Sequence, residues 1–332
     1  MKKLALVLVG LLLLAAVGAA RWVSAGLAPA DPSADASVAF RVERGEGLRG
    51  ITQRLESEGL IPDAELAFWW GRYQGIAPRL RAGDYELAAS SSPADILESL
   101  TTGQQKTFSL VIPEGFTAAM IGERVAAEGL GDAEDFARAV ADPELARSLG
   151  IEVDHLEGYL FPETYQLPKG LEAAELVTLL VQEFLETWSG LAPRAAARGL
   201  SQHEVVTLAS IVEKETGAAH ERPLIASVFS NRLERGMRLE SDPTIIYGIP
   251  NFDGNLRRVH LNDATNPYNT YQIPALPPGP IASPGRAALE AVVEPAESDF
   301  LFFVSRNDGT HVFSKTYREH VNAVNRYQRG GS

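Results

Sequence analysis

Apolar positions along the chain change their period several times, and each change marks an element. Val38, Phe40 and Val42 alternate, the pattern of a strand with one buried face. Gly45-Glu46-Gly47 turns the chain. Leu48, Ile51 and Leu55 then fall at helical spacing, up to Gly59, a residue suited to a left-handed C-terminal cap. A second helix is predicted over 63–72, with Trp69 and Trp70 reading as buried, and a short strand over "AGDYELA" (82–88). Ser92 and Asp95 form a capping box around Pro93, opening a helix that Gly103 closes. The strand–turn–helix pattern then recurs. "VERGEGLRGITQRLESEGL" (42–60) and "IPEGFTAAMIGERVAAEGL" (112–130) align without gaps at an offset of 70. Gly45 meets Gly115, Arg54 meets Arg124, and Glu58-Gly59-Leu60 meets Glu128-Gly129-Leu130. A duplication and two independent uses of one glycine-capped unit both give this pattern.

Further along, a long helix is predicted over 172–188. Ser201 and Glu204 form a capping box for a helix running to Thr216, and Gly236 stops another over 221–235. Residues 262–285 carry six prolines and no sustained period, which marks a functional loop rather than a connection. "FLFFVS", the turn "RNDG" and "THVFS" predict a β-hairpin, and a helix over 317–327 closes the pattern. The fold class is α+β: an N-terminal membrane helix, a small strand–helix module and a larger mixed α+β domain.

The N-terminus adds a location. Lys2 and Lys3 precede an unbroken apolar run, Leu4–Ala20, and Arg21 and Trp22 follow it. A helix of that length spans about 25 Å, the low end for a bilayer. The lysines favour the cytoplasmic side and Trp22 the far interface, so residues 1–26 are expected to form a single-pass anchor. Gly18-Ala19-Ala20 keeps a cleaved signal peptide open as the rival. Both place the rest of the chain across the membrane. Residues 27–37, rich in Pro, Ala, Asp and Ser, read as a linker. The net charge of −13 gives no general attraction to nucleic acid. With no cysteine there is no thiol nucleophile, disulfide or thiolate-bound metal. "HEVVT" (203–207) has Thr207 where a zinc helix needs its second His, so no metal site is expected.

The candidate chemistry lies in "LASIVEKETG" (208–217). On a wheel of about 100° per residue, Glu215 falls roughly 70° and Glu213 roughly 90° from the centre of the apolar arc. Both flank the buried face, and the wheel leaves a solvated helix end open. A carboxyl at a helix C-terminus, against apolar residues and near another acid, is pushed toward its protonated form. A protonated glutamic acid can deliver a proton to a leaving oxygen, as glycoside cleavage requires.

Several segments share their residues and order with one family: "EGYLFPETY" (157–165), "LASIVEKETG", "ERPLIASVFSNRLERGMRLESDPTIIYG" (221–248), "NPYNTY" (266–271), "LPPGPIASPG" (276–285) and the terminal hairpin. The chain resembles the MltG (YceG-like) family of membrane-anchored endolytic murein transglycosylases. The resemblance implies an anchor, a LysM-like module over 38–104 and a YceG-like catalytic domain over 105–332. It implies Glu215 as the catalytic acid and base, with Glu213 supporting it, and no cofactor. It also implies substrate contacts at Asp242, Thr244, Tyr247, Tyr268, Asn269, Thr270 and Tyr271, tyrosines by stacking on sugar faces and Asn269 by bonding N-acetyl groups. Ala275 and Ser283 depart from the family's usual residues in the proline-rich loop. The partner implied is the peptidoglycan glycan strand, at the outer face of a bacterial cell membrane. Peptidoglycan synthases and division or elongation proteins come within reach there. A muramidase using Glu213 or Asp242 as second carboxylate, and a silent wall-binding or division scaffold, are the alternatives.

Overall fold

The computed structural model describes residues 18, 21–34, 36–102, 107–168, 170–215 and 217–329. The expected anchor at 4–20 lies outside the described residues apart from Gly18, and Gly103 and Thr216 also lie outside them. Among the described residues no helix is long and apolar enough to cross a membrane. Contacts divide the chain into two units, 1–108 with 166–170, and 109–165 with 171–332.

The first unit runs β1 (Ser37–Val42), α1 (Leu48–Ser57), α2 (Ala64–Tyr73), β2 (Gly83–Ala88) and α3 (Pro93–Thr102). β1 and β2 pair antiparallel with Phe40 opposite Tyr85 and Val42 opposite Gly83. Strand alternation sends Phe40, Val42, Tyr85 and Leu87 to one face. There they meet Leu48, Ile51 and Leu55 of α1 and Ile96, Leu97 and Leu100 of α3 in one core. Asp63 caps α2 by accepting the Leu66 N–H at 2.9 Å. Trp70 packs against this core. Trp69, expected to be buried, is 56% exposed, with the Arg72 guanidinium over its ring. Adjacent positions on a helix face in different directions, so α2 sets one of the two, half-buried, against the core and leaves the other outside.

β3 (Thr107–Val111) leads into α4 (Ala118–Ala127), α5 (Ala133–Val140) and α6 (Pro143–Ser148), and pairs with β4 (Thr164–Pro168). Four helices follow: α7 (Ala173–Ala197), α8 (Gln202–Glu215), α9 (Arg222–Glu234) and the six-residue α10 (Asp242–Tyr247). The short α11 (Arg258–Leu261) precedes the proline-rich segment, after which come α12 (Arg286–Val293), the hairpin β5 (Phe302–Ser305) and β6 (His311–Ser314), and α13 (Tyr317–Tyr327). α7 continues past the predicted end at Trp188, through Pro193. An interior proline costs about 3 kcal/mol, and the turns on either side of it bury Leu191 and Ala195.

α8 is the centre of the second unit. Every residue from Val205 to Val212 is buried, so the helix is enclosed on all sides rather than along one arc. α9, α10 and α12 pack against it. Its polar interior residue Ser210 donates to the Thr207 carbonyl at 2.7 Å and accepts the Ile281 N–H at 3.0 Å, which ties the proline-rich loop to the helix. That loop has no helix or strand of its own between Leu261 and Arg286.

Candidate active site

α8 enters the core as an apolar rod and delivers its last residue, Glu215, to a partly exposed position. Burial raises the Glu215 carboxyl to about 7. The Ser241 hydroxyl donates to its Oε1 at 2.5 Å and opposes that rise, and nearby Asp242 adds to it. Arg232 lowers it slightly. The side chain is therefore poised between acid and base close to neutrality, in contact with a hydroxyl donor.

Ser241 is placed by strained and tightly bonded backbone. The residue before it, Glu240, sits at φ 53°, unusual for a side chain larger than glycine's. Arg232 holds this turn by donating to the carbonyls of Arg238 (3.0 Å) and Leu239 (2.9 Å) and to the Glu240 carboxylate (3.1 Å). The Ser241 N–H donates to the Thr270 hydroxyl at 3.0 Å. Thr244 donates to the Ser241 carbonyl at 2.7 Å, and the Thr244 and Thr270 hydroxyls lie 2.8 Å apart.

Glu213, two residues before Glu215, belongs to a different network. Its Oε1 meets Arg222 at 2.8 Å and its Oε2 accepts the Gly285 N–H at 3.1 Å. Both side chains of this pair are nearly sealed, at 5% and 10% exposure. Arg222 also reaches Glu114 at 3.3 Å. Burial, with Glu213 close by, pushes the Glu114 carboxyl up, and Arg222 offsets part of that. The Glu114 carboxyl occupies the space a Cβ at Gly285 would take, so a larger residue there would displace Glu114 from Arg222. The carboxylate that raises Glu215 is thus Asp242, and Glu213 anchors α8 to Arg222 at the start of α9 and to Gly285 at the start of α12.

The expected substrate residues separate into two groups. Asn269, Thr244 and Thr270 are wholly buried. The Asn269 amide donates to the carbonyls of His260, Leu261 and Asp263, and its oxygen accepts the Tyr271 N–H. These three hold the loop's shape from within. Asp242, Tyr247, Tyr268 and Tyr271 retain exposure. Tyr271 donates to Asp242 at 2.8 Å, and the Tyr247 and Tyr268 rings meet edge to face at 4.8 Å.

Sequence reasoning missed Glu157. It is 6% exposed, and burial raises its carboxyl to about 7. The Ala118 N–H, at the start of α4, donates to both its oxygens at 3.0 and 3.2 Å, and Tyr247 donates to Oε2 at 3.1 Å. The signal available was an acid inside an apolar run, Leu156 to Phe161. Gly158, at φ 85°, lets that run lie against Pro280, where a Cβ would clash.

A carboxyl poised near pH 7, a hydroxyl bonded to it, a neighbouring carboxylate and half-buried tyrosines are groups that acid–base cleavage of a glycosidic bond can use. The chain belongs to the YceG-like family, whose model matches residues 40–326. It is 28% identical over 320 residues to the endolytic murein transglycosylase of Bacillus subtilis, covering 91% of this chain and 88% of that protein. It is 30% identical over 332 residues to the endolytic murein transglycosylase of Streptococcus pneumoniae strain D39, spanning 90% of this chain and 60% of that longer protein. A crystal structure of a putative YceG-like protein from Listeria monocytogenes superposes with a TM-score of 0.61 at 30% identity, covering 86% of this chain and 98% of that one.

Proposed function

We propose that this chain is an endolytic peptidoglycan lytic transglycosylase in which Glu215 is both acid and base. The neutral carboxyl protonates the oxygen between N-acetylmuramic acid and N-acetylglucosamine. The resulting carboxylate removes the proton from the C6 hydroxyl of muramic acid, which attacks C1 and closes a 1,6-anhydro ring. One proton leaves Glu215 and one returns, so no water, metal or second nucleophile is consumed. The observation that supports this reading is the Glu215 carboxyl held at about 7 in contact with Ser241. A group that titrates there serves both steps at the pH of the cell exterior. Asp242, Tyr247, Tyr268 and Tyr271 are assigned to the substrate side. Asn269, Thr244 and Thr270 are assigned to the scaffold beneath it, and Glu213 to bracing the acid's helix.

The rest of the assignment follows the family. Residues 1–26 anchor the chain in the bacterial cell membrane, 38–104 form the LysM-like module, and 105–332 act on nascent glycan outside the membrane and terminate strand elongation. Synthases and division or elongation proteins are the protein partners this position offers. Asp242 supports a second reading, a muramidase with two carboxylates, because it is close enough to Glu215 to raise its pKa.

Mass spectrometry of peptidoglycan digested by the full chain separates these readings. New 1,6-anhydro ends are expected from the native protein. Their loss is expected in Glu215→Gln, by at least the roughly 10²- to 10⁴-fold that a positioned acid contributes. New reducing ends would establish the muramidase, and a native chain that cuts nothing would sink both.

A further inference from the structure

Behind Tyr247 and Tyr268 lies a cavity of about 600 Å³, bounded by residues 152–157 and by Pro278–Pro280. We propose that it is a second glycan subsite, shaped for an N-acetylglucosamine ring that carries no peptide, with Glu157 on its floor. The identity of the sugar rests on the murein reading above.

Position is the first argument. α10 begins at Asp242, beside the Ser241 that touches Glu215, and ends at Tyr247 in the cavity wall. Six helical residues advance roughly 7.5 Å, a distance of the order of a sugar ring or two. A strand whose scissile bond lies at Glu215 therefore places a neighbouring ring at the cavity.

The lining is the second. Tyr247, Tyr268 and the proline run give apolar and aromatic surface for a ring face, while His155 and Glu157 give polar edges. His203 is tied to both Pro278 and Tyr159. Its Nε2 donates to the Pro278 carbonyl at 2.9 Å, and its Nδ1 and the Tyr159 hydroxyl lie 2.9 Å apart, so the ring is fixed in the cavity wall.

Glu157 is the third. Two other buried carboxyls in this unit have a cation or imidazole partner: Glu213 has Arg222, and Glu221 has His311 at 2.7 Å. Among the described residues the donors to Glu157 are neutral: the Ala118 and Gly158 amides and the Tyr247 hydroxyl. An acid buried without a cation is costly, and fixing a helix start or a tyrosine does not require one. Facing a cavity, its carboxyl can both accept from a sugar hydroxyl and donate to an N-acetyl carbonyl.

Charge selects between the two sugars. Among the described residues no lysine or arginine lines the cavity, and Glu152 and Asp154 stand at its exposed edge, two carboxylates against the one guanidinium, Arg147, that borders them in the adjoining groove. The muramic ring bears a peptide with free carboxylates, which this edge repels. The glucosamine ring is neutral and enters without that penalty.

All six histidines lie between residues 155 and 320, so their NMR signals report on the second unit alone. Titration of the full chain with the β-1,4-linked trimer of N-acetylglucosamine is expected to move the His155 and His203 resonances and leave His220 and His320 in place. Muramyl dipeptide is expected to bind more weakly by roughly tenfold, or 1.4 kcal/mol. Glu157→Gln, and independently Val153→Trp, which fills the cavity from its rim, should each weaken the trimer's effect to a similar degree. Val153→Trp keeps the test open if Glu157→Gln does not fold. No movement of His155 and His203, no loss in a folded variant, or equal binding of muramyl dipeptide would each overturn the proposal. Binding does not require cleavage, so the trimer shifts test the subsite even if no anhydro ends are found.

Discussion

Gly45 sits at φ 79° and Gly115 at φ 76°, and each turns the chain into a ten-residue helix that ends at a left-handed glycine, Gly59 or Gly129. The closing bonds match too: Leu60 N–H reaches the Leu55 carbonyl at 2.8 Å, and Leu130 N–H the Val125 carbonyl at 3.0 Å. In the first copy these features complete a small core, and nothing lies near a Cβ placed on Gly45. In the second, the same turn carries the candidate site. Gly115 donates to the Ser283 carbonyl at 2.9 Å and accepts from Lys214 of α8 at 3.2 Å. Ser283 in turn donates to the Phe116 carbonyl at 2.8 Å. Glu114 joins the Arg222–Glu213 network, and the first amide of α4 is taken by Glu157. One local code thus yields two outcomes, decided by what other segments bring to its exposed backbone groups.

The sharpest way to break this comparison is to cut the brace. Removing one partner of a buried ion pair leaves the other charge unmatched. Glu213→Gln is expected to lower unfolding stability by about 3 kcal/mol, read by denaturant titration. The ion pair at the turn of the first copy, Glu46 with Arg54 at 3.0 Å, is more open, so Glu46→Gln is expected to cost within about 1 kcal/mol. Equal losses would mean that the second copy is no more than scaffold. A smaller effect comes from the turns themselves. Alanine is strained at positive φ by roughly 1 kcal/mol, so Gly45→Ala and Gly115→Ala should lose similar stability. Only Gly115→Ala is expected to reduce anhydro-end formation, because its strain is shared with the Ser283 pairing and α8. The smallest change separates electrostatics from bracing. Asp242→Asn removes the negative charge that raises Glu215, so Glu215 ionises at lower pH. The acid must be protonated to act. The high-pH limb of the rate profile should therefore move down by less than about one pH unit, while Glu213→Gln leaves that limb in place.

Local signals were legible wherever one segment carries them alone. The helix at Tyr317–Tyr327 and the start at Leu48 have the predicted ends, and Ser201 and Glu204 exchange capping bonds as expected. Burial supplied by other segments was not legible. The wheel set Glu213 and Glu215 side by side because Arg222 and Ser241, which draw them into separate networks, come from beyond the helix. The resemblance set Asn269 and the two threonines on the substrate side, but their polar atoms are used by the loop's own backbone and by each other. The helix predicted over 172–188 runs on through Pro193 to Ala197, because propensity cannot register the packing of Leu191 and Ala195.

Asn269 has a thermodynamic consequence. With three carbonyls tied to one side-chain amide, the segment from His260 to Tyr271 has already lost the freedom that flexible binding loops lose on contact with ligand. Association at this wall then bears little ordering entropy, and its heat-capacity change reports the apolar surface covered rather than a folding step. Long glycan strands, which present the same units repeatedly, would meet a surface of constant shape, with rates of capture governed by diffusion and orientation instead of loop closure.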